Sequence, residues 1–256
     1  MKKNLIIILM FIVVLSSIVG CSKGEIASSK SQKREIDSDK LQKRNGLVYV
    51  VDEDQPFTGI AIRYYENGQV KLELNFQDGK LEEKSISYYE SGQVKREENY
   101  EDNKLNGKNI KYYENGKVKE KVYYKNGKKE GKLISYYENG KVKAEGNFED
   151  GKREGTFRWY YENGKVHKET DYEDGEHEGT FRNYYENGQI QLKANLEDGK
   201  REGKFIGYYK NGKVQTEQNF EDGNLDGEFI NYYEDGRIKS KFIFKDGKII
   251  ETIIRE

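Results

Sequence analysis

Apolar and polar positions divide this chain into three stretches. Leu5 to Val19 is apolar apart from Ser16 and Ser17. Ser22 to Asn45 is polar and rich in Lys, Ser, Asp and Glu. Beyond it, short alternating segments recur between turn signals with a fixed period. Paired tyrosines end at Tyr65, Tyr89, Tyr113, Tyr137, Tyr161, Tyr185, Tyr209 and Tyr233, each 24 residues after the last. A glycine follows each pair at the same offset, from Gly68 to Gly236. A second series runs Gly79, Gly127, Gly151, Gly175, Gly199, Gly223 and Gly247, with Asn103 as its one substitution. A period of this length means a linear array in which each unit touches only its neighbours.

Each unit carries two turn signals, Asn-Gly as at Asn67 and Asp-Gly as at Asp78. Both dipeptides suit two-residue hairpin turns that need positive φ at both positions. The sole proline, Pro56, fits ladders that need every backbone donor. The predicted fold is therefore all-β: an elongated, single-layer antiparallel β-meander built from 24-residue β-hairpin repeats. About 17 strands at ~4.8 Å spacing give a sheet on the order of 80 Å long.

Turn geometry predicts the faces. With Asn67-Gly68 as the loop, Tyr65 pairs with Val70, and Tyr65, Val70, Leu72, Leu74 and Phe76 share a side. Leu133, Phe157, Phe181, Phe205 and Phe229 fall on that same side. A third glycine series, from Gly107 to Gly227, stands opposite Leu74-type positions and is expected to leave room for rings. The other face takes the first tyrosine of each pair, the Ile62-type isoleucines and the Lys71, Glu73 and Asn75 triplets. The segment Leu47 to Val51 followed by Pro56 to Gly59 reads as an opening cap within residues 46–59. The repeats then occupy residues 60–248, and residues 249–256 read as a closing strand.

The first stretch bears on where the array sits. Lys2 and Lys3 precede the apolar run, the pattern of a secretory leader over residues 1–20. Its ending, Ile18-Val19-Gly20-Cys21, resembles a bacterial lipobox, and Cys21 is the only cysteine. Residues 21–45 then read as a lipidated cysteine and a polar tether. The expected location is the cell envelope, extracytoplasmic and lipid-anchored, at the outer membrane if two membranes are present. The formal net charge is −1, and losing Lys2 and Lys3 makes it more negative, which leaves no footprint for nucleic acid.

The repeat resembles the MORN-repeat variant family, in particular bacterial YwqK-type antitoxin-like proteins. The likeness rests on Tyr136 to Lys143 (Tyr-Tyr-Glu-Asn-Gly-Lys-Val-Lys), Asn147 to Lys152 and Glu154-Gly155. It covers about Gly59 to Lys248 and implies binding or scaffolding surfaces. A lipobox and a cytoplasmic antitoxin role are at odds, because an exported protein cannot meet a cytoplasmic toxin.

No catalytic or metal-ligating set is expected, and no cofactor. His167 and His177 lie ten residues apart with no cysteine nearby. A lysine usually follows each Asp-Gly turn, against the convergent carboxylates calcium requires. The remaining candidates are aromatic: Tyr64, Tyr88, Tyr112, Tyr136, Tyr160, Tyr184, Tyr208 and Tyr232, with Trp159, as a binding surface. The expected function is non-catalytic protein binding by the lipid-anchored array, with an unknown protein as partner. The alternatives are an antitoxin or immunity component, and a module for envelope glycan or lipid headgroups.

Overall fold

The computed structural model describes residues 33–255. The expected leader, residues 1–20, and Cys21 lie outside the described residues. Within 33–255 the chain forms one 21-stranded sheet and one separate hairpin. From Gly59–Tyr64 onward every strand pairs antiparallel with the next, ending at Lys248–Arg255. Three of the outgoing strands are interrupted, as where Lys128–Lys129 gives way to Gly131–Tyr136, which raises the strand count above the expected one.

The fold begins earlier than the polar composition of residues 21–45 suggests. Glu35–Asp37 adds a parallel edge strand, with Ile36 opposite Ala61. Leu41–Arg44 and Leu47–Val50 form the separate hairpin. Val48 ties that hairpin to the array, its N–H donating to Gly79 O at 2.9 Å and its carbonyl accepting from Phe57 N at 2.8 Å. The main buried cluster forms here, from Val50, Phe57, Ala61 and Phe76, with Ile36, Leu41 and Leu74 packed on it. Elsewhere the core thins to a few buried side chains such as Val122, Phe157, Tyr172 and Phe220. Ladders and stacked turns carry much of the cohesion of such a sheet.

The two turns differ. Asp78 (φ 49°) and Gly79 (φ 76°) form the expected two-residue turn, with Gln77 opposite Lys80. The Asn-Gly turn is different. Gly68 N–H donates to Tyr65 O and Tyr65 N–H donates to Gln69 O, so the loop is Glu66-Asn67-Gly68 and only Gly68 has positive φ. This is the three-residue turn ending in a left-handed glycine. Asn67 Oδ1 accepts from Gln69 N at 3.0 Å and holds the loop. Tyr65 therefore does not pair with Val70; Tyr64 does. A bulge at Lys71 then restores the expected register, with Arg63 opposite Leu72 and Ala61 opposite Leu74. The face assignment thus holds in the strand bodies and fails beside the turn.

The third glycine series also has another cause. Gly155 stands opposite Tyr172, and no atom lies within 4 Å of where its Cβ would be. Its φ of 68° is what demands glycine, because the strand kinks there. The glycine that does admit a ring is Gly146, whose added Cβ would stand 2.4 Å from the ring of Phe157.

Hydrogen bonds between units repeat with the same period. Gly151 N–H donates to Lys129 O, Gly175 N–H to Arg153 O and Gly199 N–H to His177 O, stacking the Asp-Gly turns. Beside them, Glu130 accepts from Asp150 N, Glu154 from Asp174 N and Glu178 from Asp198 N. Each carboxylate thus fastens the next turn along the array.

Candidate interaction surfaces

The first tyrosines line one face and are mostly engaged. The hydroxyl of Tyr88 donates to Glu73, Tyr112 to Glu97, Tyr160 to Glu145, Tyr184 to Glu169 and Tyr232 to Glu217. Burial, reinforced by the carboxylate acceptor, pushes the Tyr88, Tyr112 and Tyr160 phenols up to about 12. Where Glu is replaced by Lys121, the ammonium lies 5.7 Å over the ring of Tyr136 instead. Tyr208 is half-buried, and Tyr64 is exposed at 47%. The charges on this face pair with one another: Lys84 with Glu97, Lys132 with Glu145 and Arg158 with Glu169. It is a mixed surface in which many, though not all, of the charges are paired, Lys121 and Lys193 forming no ion pair among the described residues.

Trp159 lies on the opposite face, so the aromatic candidates do not form one strip. It neighbours Phe157 at 6.0 Å, and Phe157 in turn meets Tyr172 edge-on at 5.2 Å and Phe148 at 5.4 Å. Cations lie over these rings. Lys129 is 4.8 Å from Phe148, Arg153 5.0 Å from Tyr172, and Arg201 5.0 Å from Phe220. Lys168 sits between Trp159 at 4.9 Å and Phe181 at 5.0 Å. Burial, then the nearby Arg153 guanidinium, lowers the Lys168 pKa.

The histidines are ring partners. His167 packs on Tyr161 and His177 on Tyr172, each at 4.5 Å. Burial, then Lys168 and Arg153, lowers the His177 pKa, and its Nδ1 lies 3.1 Å from Thr170 Oγ1. Among the described residues no group of three His, Cys, Asp or Glu is placed to hold a metal ion.

The cations were not among the sequence candidates, although a signal existed. The position after each Asp-Gly-x is apolar at Leu81 and Leu105, basic or histidine at Lys129, Arg153, His177 and Arg201, and apolar again at Leu225 and Ile249.

Eight consecutive segments match the MORN repeat variant, at residues 57–78, 84–102, 105–126, 129–150, 153–174, 178–198, 201–222 and 225–252. The chain belongs to the MORN repeat variant family. Among solved structures it is similar to a chain of the Photorhabdus luminescens Tc holotoxin pore, at 13% identity and a TM-score of 0.18. That likeness covers 78% of this chain and 12% of the other, so the MORN array spans a small part of that chain's length. No curated protein matches. MORN repeats suggest a protein for interaction with proteins or lipids.

Proposed function

We propose that this MORN protein is a non-catalytic, lipid-anchored, extracytoplasmic scaffold whose extended sheet binds another protein. The observation that carries the reading is the contrast between the faces. One sets acids beside bases, as at Arg158–Glu169, while the other carries cations without acids around the half-buried Trp159 and Phe181. A broad aromatic and cationic face on a rigid sheet suits a protein partner, since aromatic and Arg side chains supply most interface hot spots.

Anchoring rests on Cys21 and the leader before it. The test is chemical crosslinking in intact envelopes followed by pulldown of the full-length protein. A single stoichiometric protein partner is expected. Recovery of peptidoglycan fragments alone would replace this reading with glycan binding. Metabolic labelling with a fatty-acid analogue tests the anchor; label persisting in Cys21→Ala would sink that part.

A further inference from the structure

From Lys129 to Gly207, the face that carries Trp159 holds Lys129, Arg153, Lys168, His177 and Arg201 and no carboxylate. Strand pairing fixes this: Phe148 faces Arg153, Tyr172 faces His177, Leu196 faces Arg201, and Lys168 faces both Trp159 and Asn183. The acids of the same strands, such as Glu145 and Glu169, point the other way and pair with Lys132 and Arg158. Glu120, on the preceding strand, is already paired with Lys111 at 2.8 Å. The ion pairs along the described array, for example Lys128–Asp150 and Lys200–Asp222, include none of the four lysines and arginines of this strip. A chain with 45 basic and 46 acidic residues has here gathered cations without counter-charge.

The geometry points to a docking strip for an acidic, extended segment of a partner protein, laid along the array over Lys129, Arg153, Lys168 and Arg201. This rests on the protein-binding reading above and specifies the partner's chemistry. Equivalent positions in successive units are two strands apart, about 10 Å. A polyproline II segment rises ~3.1 Å per residue with three residues per turn, so every third side chain returns to one face after about 9 Å. A carboxylate at every third position therefore keeps pace with Lys129, Arg153 and Arg201, with His177 as the weakly charged member of the row. Apolar side chains between the acids would rest on the half-buried Trp159 and Phe181. A bare polyanion would gain nothing from those rings, which is why a peptide is the favoured occupant.

The test uses the full-length protein in detergent and a fluorescein-labelled peptide repeating Glu-Pro-Leu. Binding should change Trp159 fluorescence and weaken with salt. Arg153→Gln/Lys168→Gln/Arg201→Gln should lower affinity at least about tenfold, as for loss of charge complementarity. Lys128→Gln/Lys152→Gln/Lys200→Gln removes the same charge from the turn edge and should stay within about twofold, because exposed charges there act weakly through solvent. A peptide of equal composition with its glutamates clustered should bind less well.

Failure of the Glu-Pro-Leu peptide to bind, or equal losses in the two triple variants, would overturn the proposal. So would equal or tighter binding of polyphosphate or phosphatidylglycerol vesicles. A crosslinked partner whose capture is untouched by the Arg153/Lys168/Arg201 substitutions would leave the protein-binding reading intact and remove this strip from it.

Discussion

The hydroxyl of Tyr137 donates a 2.6 Å hydrogen bond to the backbone carbonyl of Tyr160 in the next unit. The same link joins Tyr65 to Tyr88, Tyr113 to Tyr136, Tyr161 to Tyr184 and Tyr209 to Tyr232. The second tyrosine of each pair thus bolts its unit to the following one, while the first faces Val142-type residues across the turn. The two members of a pair are neighbours in sequence with different tasks.

Hydroxyl removal should separate them. Tyr137→Phe leaves the Tyr160 carbonyl without that donor and should cost about 0.5–1.5 kcal/mol. Tyr136→Phe removes a hydroxyl with no hydrogen-bond partner among the described residues and should stay within about 0.5 kcal/mol. Thermal melts of both variants decide it; equal shifts would mean the hydroxyl ladder contributes nothing.

Glu83 occupies the kink position that is glycine in six later units, Gly107 to Gly227. Its φ of 59° is the left-handed region that L side chains resist. Glu83→Gly should therefore raise stability by about 1 kcal/mol. The change also removes the ion pair with Lys33, but both side chains are exposed and such pairs contribute little. A lower melting temperature would show that the ion pair outweighs the backbone strain.

Gly146 tests packing rather than backbone freedom. Its added Cβ would strike three atoms of the buried Phe157 ring at 2.4–2.5 Å. Gly146→Ala should cost about 1–3 kcal/mol by overpacking. Phe157→Leu in the same chain should recover part of that loss, and an absence of coupling in the double-mutant cycle would refute the contact.

These cases mark what the sequence could disclose. The period, the Asp-Gly turns and the strand faces were legible because each is a local property of the unit. The Asn-Gly turn was not, since the dipeptide suits both a two-residue turn and the end of a three-residue one. What decides between them is the Asn67 side chain on Gln69 N and a bulge at Lys71. Residues 35–44 hid because Ile36 and Leu41 are too few to make a periodic signal in a polar stretch. The basic strip hid because Lys129, Arg153 and Arg201 look like ordinary surface charges until pairing places them over rings.

The alkaline limb of stability follows from the first tyrosines. Folded Tyr88, Tyr112 and Tyr160 ionise only at about 12, against an ordinary value of 10.0. A folded value above the unfolded one means stability is full below pH 10 and is lost as pH rises towards 12. The melting temperature should fall across that window. Glu145→Gln removes the carboxylate that helps raise Tyr160, so ultraviolet titration of phenolate should then show one tyrosine ionising earlier. An unchanged titration curve would dissociate Tyr160 from Glu145.

Removal of one whole unit is the strongest test of the array. Deleting Gly131–Glu154 joins Glu130 to Gly155 in phase, and each inter-unit link finds its equivalent partner. Tyr113 would donate to Tyr160 O in place of Tyr136 O, Gly175 N–H to Lys129 O in place of Arg153 O, and Asp174 N–H to Glu130 in place of Glu154. The shortened protein should fold with a sheet shorter by two strands, roughly 10 Å. Its stability should fall gradually, as expected when each unit contributes its own term and one interface. Deleting only Gly146 instead shifts Asn147–Glu149 by one relative to the start of the strand and exchanges faces there, sending Phe148 to the charged side. That small deletion should be the more damaging of the two. Small-angle scattering and circular dichroism on both proteins measure it, and cooperative loss of structure in the 24-residue deletion would show that units beyond nearest neighbours hold the sheet together.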